Sequence, residues 1–531
     1  MGVYVIGYDV GTTGLKTCLF EIDEKIRMAG SAMEGYGINI LPNGGAEQDP
    51  EDWWRAMCNT TKEVLQNTGI KAGDIKGVSF CSQAQGVVLV DKEGKPVRPA
   101  MSYMDARAVE ELKKDMGSGI RVMDMNVMKL VKSLKYTGVV AGSVKDPVFK
   151  YKWVENNEPE VFKRIYKWLD VKEYLLCKCT GKFVITEDDA FGMMIYDTRK
   201  GKEGFSREMC RIHGVNINHL PQVVGSKDIV GGLKKEAAEL LGLMEGTPVV
   251  GGGNDACLIG IGAGAVDVGS THIYSGTSGW VSTVMDHQIA DVSAMIGGVV
   301  AADKGRFNYF AEMETAGKCL EWVKDHLALD EIDIYLDKKN VCSTQEGIYT
   351  SLYDYMMEVI KEVPAGSNGV IFTPWLIGNR CPFEDVNARG MFFNISLDTG
   401  KTEMIHAVLE GICYHLRWQL ESIEKKVKTS ENIRFVGGGA LSRITCQLLA
   451  DILGRKIETI DNAQNAGAVG AAVLTAVGLG IFKDFNEAKS LISVKETFIP
   501  DMNNKKMHDR NYQVFKNLYK NNKKNFAMLN R

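Results

Sequence analysis

Two short turns of glycine and hydroxyl residues stand far apart in the chain, Gly11-Thr12-Thr13-Gly14 and Gly276-Thr277-Ser278-Gly279. Each is entered from a β-prone run, Val3-Tyr4-Val5-Ile6-Gly7 in one case and His272-Ile273-Tyr274 in the other. Each leads into a second such run, Leu15-Lys16-Thr17 and Trp280-Val281-Ser282. Glycine lets backbone N–H groups approach a phosphate closely, and Thr or Ser hydroxyls add donors. One such turn means little. Two, each set between strands, point to two related domains closing on one nucleotide.

Asp9 stands just before the first turn. A carboxylate beside a triphosphate is repelled unless a cation intervenes, so Asp9 is a natural Mg²⁺ partner. The alternative is an Asx-turn that caps its own loop. Thr12, Thr13 and Lys16 follow at once and favour the functional reading. A second carboxylate, Asp255, follows the apolar run Thr247-Pro248-Val249-Val250 and three glycines, in Gly253-Asn254-Asp255-Ala256. A strand end opening into a helix places such a side chain in a cleft. There it could take the proton of a hydroxyl attacking phosphorus. It could equally cap the helix, and spacing alone leaves the two readings even.

A third glycine cluster, Gly437-Gly438-Gly439, lies between a strand and a helix pattern and could lie flat against a base or ribose. Two other motifs fail. Gly400-Lys401-Thr402 lacks the P-loop's first glycine, because that position is Ile395. Gly260-Ile261-Gly262-Ala263-Gly264 has no ribose-reading acid about twenty residues on.

These residues must be carried by elements of an α/β chain. Apolar runs at 3–6, 17–22, 78–80 and 87–90 read as strands, and Asp49-Pro50-Glu51-Asp52 reads as a helix start. Residues 149–179 read as helical. In the second half, 403–423 keeps a helical apolar period, 433–436 is a strand, and 442–453 and 466–479 are helices. The Lys/Asn-rich end after about residue 500 reads as a peripheral helix.

At 531 residues the chain exceeds one core. Its net charge of -4, from 63 basic and 67 acidic residues, argues against nucleic-acid or membrane-surface partners. No apolar stretch long enough to span a bilayer and no secretory leader pattern is read. Twelve cysteines, scattered singly apart from Cys177 and Cys179, read as reduced thiols of a cytoplasmic protein.

In order and spacing these segments resemble the FGGY family of carbohydrate kinases, from residue 4 to about 490, and within it the xylulokinase branch. Asp9-Val10-Gly11-Thr12-Thr13 resembles the family's first phosphate loop, and 147–157 its first signature. The segment 392–410 resembles the second signature, departing at Asn394, where the family usually has glycine. Gly437-Gly438-Gly439-Ala440 resembles the adenosine loop, and 464–472 the start of the last helix.

The resemblance implies two ribonuclease-H-like lobes, of actin/hexokinase type, around a central ATP and sugar cleft. The lobes would cover 1–257 and 258–490, with a peripheral helical tail over 491–531. It implies Asp255 as general base and Asp9 as the Mg²⁺-associated carboxylate. Gly11, Thr12, Thr13, Lys16, Gly276, Thr277 and Ser278 would grip the phosphates of ATP, while Gly317, Gly438, Gly439 and Ala440 would meet the rest of the nucleotide. On the sugar side it implies Gln83, Ala84, Gln85, Tyr103, Asp105, Asn254 and Trp280, the last covering one sugar face from the opposite lobe.

Ala84-Gln85 stands where glycerol kinases carry Arg-Glu and typical xylulokinases Met-His. The missing Arg-Glu fork argues against glycerol. D-Xylulose is the first expectation. Erythritol, another ketopentose, gluconate or a signal dione are alternatives, and a non-catalytic ATPase switch is the rival outside the class. The family also implies a homodimer.

Overall fold

The computed structural model describes residues 2–122, 125–327 and 352–530. Its frame is one strand pattern used twice. In the first lobe, β1 (Val3–Val10), β2 (Gly14–Ile22) and β3 (Ile26–Gly35) form an antiparallel meander. β4 (Ile75–Ser82) then pairs parallel to β1. β5 (Ile229–Gly232) and β6 (Pro248–Val250) extend that edge, and the short β7 (Gly253–Asn254) also pairs with β4. The order is β5-β6-β4-β1-β2-β3.

The second lobe repeats the arrangement. β8 (Thr271–Ser275) and β9 (Gly279–Met285) form a hairpin, and β10 (Ala290–Asp291), β11 (Ile296–Val300) and β12 (Phe307–Met313) continue beyond β9. β13 (Asn432–Val436) pairs parallel to β8, followed by β14 (Lys456–Ile460) and β15 (Val494–Phe498). The order is β10-β11-β12-β9-β8-β13-β14-β15. In both sheets a phosphate-type turn joins the first hairpin, and a parallel strand crosses over beside it. The duplication inferred from two turns is therefore a duplication of sheets.

Helices cover the sheets where the sequence places their starts. Asp49 accepts from the Glu51 N–H and caps α1 (Pro50–Thr68), with Pro50 in its first turn. Ser442 caps α6 (Arg443–Leu453) in the same way, and Gly454 in the left-handed region ends it. Between these lie α2 (Pro147–Asn157), α3 (Val171–Thr180), α4 (Asp255–Gly262) and α5 (Lys401–Glu424). Gly400 is merely the cap residue of α5. α7 (Ala466–Gly478) and α8 (Lys505–Leu529) complete the set.

The lobes meet through α4 and α7. A Cβ on Gly262 would lie 1.8 Å from the Ala466 carbonyl oxygen, and one on Gly470 2.0 Å from that of Leu258. Only glycine permits two helix backbones to cross this closely. α7 also lies on β1 and β4, so a helix from the second half of the chain closes the face of the first sheet. The division expected between 257 and 258 falls inside α4.

Two expectations are corrected. Residues 149–179 are not continuously helical, because Lys167–Leu169 forms a strand that pairs with Val88–Val90. Its buried Trp168 and Leu169 fit either period, and pairing decides. The tail is not peripheral either. β15 is part of the second sheet, and α8 buries Tyr512 and Phe515 completely. Phe515 packs against Trp375 with ring centroids 5.6 Å apart, and Tyr519 stacks on Phe383 at 3.5 Å. The Lys residues and all the Asn residues but the buried Asn511 form the opposite, wetter face of an amphipathic helix.

Among the described residues all eleven cysteines are buried and unpaired, and no helix is long and apolar enough to cross a membrane.

If α8 completes the core, Phe515→Ala will lower stability by about 3–5 kcal/mol, the cost of truncating a buried aromatic. Denaturant unfolding measures this, and an unshifted midpoint would contradict the packing.

Candidate active site

The first turn is closed by the Gly11 N–H donating to the Gly14 carbonyl at 2.9 Å. Its carbonyls are all engaged. Tyr36 Oη and Gln83 Nε2 donate to that of Gly11, at 2.6 and 3.2 Å. Gln48 Nε2 donates to that of Thr12 at 2.8 Å, and the Tyr36 N–H to that of Thr13 at 3.0 Å. The second turn follows the same rule. The carbonyls of Gly276, Thr277 and Ser278 accept from the N–H groups of Gly317, Ala316 and Gly276, at 2.8, 3.1 and 2.9 Å. With its acceptors bound to protein, each turn is left with donors, the polarity an anion needs. Thr13 and Thr277 are exposed, and Thr12 and Ser278 half-buried.

Gly317 therefore braces the second turn. A Cβ there would stand 2.5 Å from the Gly276 oxygen, and its N–H is spent on that carbonyl. Gly437 lies at φ 93°, where a Cβ would meet the Ser275 carbonyl at 2.5 Å, so the third glycine loop sits at the end of β8 beside the second turn. Gly438 faces open space, Gly439 packs on Ser275, and Ala440 is buried.

The two carboxylates converge through strand register. Cys81 on β4 pairs with Asp9 on one side and Gly253 on the other. Asp255, two residues beyond Gly253, is the first residue of α4. The cap is Asn254, whose Oδ1 accepts from the Cys257 N–H at 3.1 Å. The capping alternative for Asp255 therefore falls away. Burial, assisted by the charge of Asp9, raises Asp255 to about 7 despite the Ala256 N–H that it accepts at 2.8 Å. Burial raises Asp9 to about 6, opposed by Lys16 directly across the hairpin. Lys16 Nζ reaches Asn465 Oδ1 at 2.8 Å, joining the first turn to the α7 end of the molecule.

Asp9 has no hydrogen-bond partner among the described residues, which leaves its oxygens free for a cation. Mg²⁺ characteristically takes one or two carboxylates and completes its shell with water and substrate phosphates. The described residues suit that mode, and hold no cluster of three or more His, Cys, Asp or Glu ligands.

On the sugar side, Gln85 sits at φ 62°, a conformation that costs a non-glycine residue about 1 kcal/mol. Its neighbours impose it. The buried Lys150 ammonium of α2 donates to the carbonyls of Gln85 and Ser102, at 2.7 and 2.9 Å, and the Gly86 N–H donates to Asp170 at 2.8 Å. The Gln85 amide makes no hydrogen bond to the described protein and is free to act. Ala84 is half-buried beside it. Gln83 is mostly used within the protein, because Nε2 also donates to Gln48 at 3.0 Å, while its Oε1 is buried without a partner. Tyr103 is 38% exposed and accepts from the Thr12 hydroxyl at 3.3 Å.

Three sugar-side expectations change. Asp105 is fully buried and accepts from Arg107 Nη2 at 2.7 Å and the Ala46 N–H at 2.9 Å, so it holds a loop and does not face the cleft. Trp280 is also buried. Tyr274 stacks on it at 4.1 Å, Phe310 lies at 5.3 Å, and its Nε1 donates to His272 at 3.2 Å. Both faces are occupied, and the half-buried Tyr274 is the aromatic that feels the charges of Asp255 and Asp9. Asn254 contributes through the backbone of its segment, its Nδ2 donating to Asp189 at 3.1 Å and its N–H to Asp188 at 2.7 Å. Tyr274, Gln48 and Lys150 were not anticipated as site residues. Tyr274 lies two residues before the second turn, and that position was its only signal.

Residues 4–262 match the family model described as the N-terminal domain of the FGGY family of carbohydrate kinases, and residues 272–479 match its C-terminal domain. This chain belongs to the FGGY family of carbohydrate kinases. Xylulose kinase of Bacillus subtilis (strain 168) is 27% identical over 97% of this chain and 96% of its own. Gluconokinase of the same organism is 27% identical over 98% and 96%. The crystal structure of ligand-bound xylulose kinase from Lactobacillus acidophilus superposes with a TM-score of 0.84 at 25% identity, covering 99% of both chains. That of gluconate kinase from the same species also gives 0.84 and 25%, over all of both chains. The molecule is a two-lobed carbohydrate kinase, and ATP is the phosphate donor of its family.

An Asp255 ionising near 7 sets a pH dependence. The role of base expected for Asp255 needs the deprotonated carboxylate, so in that role acceptor kcat/KM will rise with pH through about 7 and then level. Stability runs the other way. A carboxyl raised by burial favours the folded state when protonated, so its cost grows as pH rises toward 7. Asp255→Asn will therefore raise the Tm of the ligand-free protein more at pH 8 than at pH 5. Equal shifts at both pH values would contradict a buried, proton-retaining Asp255.

Proposed function

We propose that this kinase transfers the γ-phosphoryl group of ATP to a terminal hydroxyl of a neutral ketose or polyol, D-xylulose being the first candidate, to give D-xylulose 5-phosphate. The observation that carries the reading is the buried carboxyl of Asp255, raised to about 7 and not spent on capping α4, in a chain that also builds two donor-lined turns. Asp255 accepts the proton of the attacking hydroxyl, and the turn N–H and hydroxyl groups receive charge on the phosphoryl oxygens. Asp9 would hold Mg²⁺, which when bound neutralises phosphate charge. Gln85 and Tyr103 orient the sugar. Closure of the two lobes keeps water from competing as acceptor.

Gluconate is the reading to weigh against this, since gluconokinases are among the relatives. A sugar acid needs an available cation in a partly desolvated site. Four cations near the acceptor segments are committed, and the exposed Lys145, whose charge reaches Glu312, is not among them. Arg107 Nη2 is held by Asp105 and Glu47 at 2.7 and 2.8 Å, Lys150 by two carbonyls, and Lys16 by Asn465. Arg380 lies 3.0 Å from Glu312. This favours an uncharged acceptor. With its buried free thiols, the chain is read as a cytoplasmic enzyme.

Coupled ADP release over a panel of D-xylulose, other ketopentoses, erythritol, glycerol and gluconate tests the assignment. D-Xylulose or another neutral acceptor will exceed gluconate by at least about tenfold in kcat/KM. Gluconate as the best acceptor would overturn it. Gln85→Leu will lower sugar kcat/KM and leave the slow ATPase background unchanged. Unaltered sugar kinetics would remove Gln85 from the acceptor site.

A further inference from the structure

β12 of the second lobe carries an acidic residue, Glu312, that the expected site residues do not include. Tyr274 on β8 pairs in register with Trp280 on β9, and Trp280 with Glu312 on β12. Directly paired residues share a sheet face, so the three stand in one row. The Tyr274 end of the row lies by Asp255 and Asp9. At the other end, the Glu312 side chain keeps 31% of its surface and Arg380 45%, with Arg380 Nη1 donating to Glu312 Oε2 at 3.0 Å. Glu314, just beyond the end of β12, adds a second acidic residue whose charge also acts on Glu312. The charge of Glu312 is felt by Asp255, and by Tyr103 across the cleft.

Burial raises the Glu312 carboxyl and Arg380 opposes that rise, so the pair stands in partly desolvated surroundings. Its placement, opposite Tyr103 and on the row that ends beside the base, gives it a use. We propose that Glu312, fixed by Arg380, is a specificity residue that reads the end of the acceptor remote from the transferred hydroxyl. It accepts hydrogen bonds from sugar hydroxyls there and repels a carboxylate. Arg380, held by Glu312, is not free to clamp a sugar acid. The inference rests on the neutral-acceptor reading above and assigns part of its selectivity to one side chain.

The test compares D-xylulose with D-gluconate for wild type, Glu312→Gln and Arg380→Gln, with KM for ATP and Tm measured alongside. Glu312→Gln keeps the size, removes the charge and releases Arg380. It will lower the xylulose-to-gluconate ratio of kcat/KM at least about tenfold, with KM for ATP unchanged. Arg380→Gln leaves the Glu312 charge unpaired and will move the ratio the other way, which keeps the proposal testable should one variant fold poorly. A ratio within about twofold of wild type in both variants, or an equal loss for both acceptors, would overturn the role given to Glu312 while leaving the neutral-acceptor reading intact. A wild-type enzyme that prefers gluconate would overturn that reading and the inference with it.

Discussion

Two carboxylates held at the same end of one sheet, at the ends of the two strands that flank β4, are the constraint around which this molecule is arranged. Asp9 and Asp255 flank the same β4 residue, Cys81, one through β1 and the other just beyond β7. Bringing like charges together away from water is unfavourable, and both carboxyls hold their protons more tightly as a result of burial. The arrangement becomes favourable when a cation and phosphates enter. Lys16, directly across the hairpin, offsets part of the charge on Asp9, and a divalent cation held by that carboxylate would offset more.

The fold holds that arrangement in place by committing its own polar groups. Each phosphate-type turn uses all its carbonyls on protein donors, so what remains toward the cleft is donor in character. Asn254 caps α4, which leaves the Asp255 carboxyl for chemistry. The glycine contacts between α4 and α7 seat α4, which begins with Asp255, against a helix that also lies on β1 and β4. Lys150 holds the sugar loop and the Tyr103 segment together through two carbonyls. These are hydrogen bonds of buried groups with few alternatives, and they position the reacting residues to within a narrow range.

Much of this was legible in the sequence because local chemistry and tertiary role agree. The twin turns and the helices after Asp49 and Ser442 are marked by local residue types, whereas Asp9 and Asp255 each had a capping alternative, and only the family resemblance gave Asp255 its expected role. The departure at Asn394 also explains itself, since it adopts φ 69°, a region asparagine tolerates better than most non-glycine residues. The errors share a cause. Asp105 and Trp280 had the right types for a sugar site, but long-range partners decided their fates: Arg107 and Ala46 for one, Tyr274 and Phe310 for the other. The tail was misjudged because its Lys and Asn content hid an apolar stripe that only the opposing Trp375 and Phe383 reveal. Tyr274 and Glu312 carry no motif. Strand register across β8, β9 and β12 sets them on one sheet face, and register is not written in any one segment.

The central claim is that Asp255 serves the acceptor and not the nucleotide. Calorimetric affinity for a non-hydrolysable ATP analogue, measured with single-turnover phosphoryl transfer to D-xylulose, separates the two roles in one variant. For Asp255→Ala the account predicts a transfer rate reduced roughly a hundred- to ten-thousand-fold, with nucleotide affinity nearly unchanged. A variant that keeps more than about a tenth of the wild-type transfer rate, or that loses nucleotide binding in step with transfer, would contradict it.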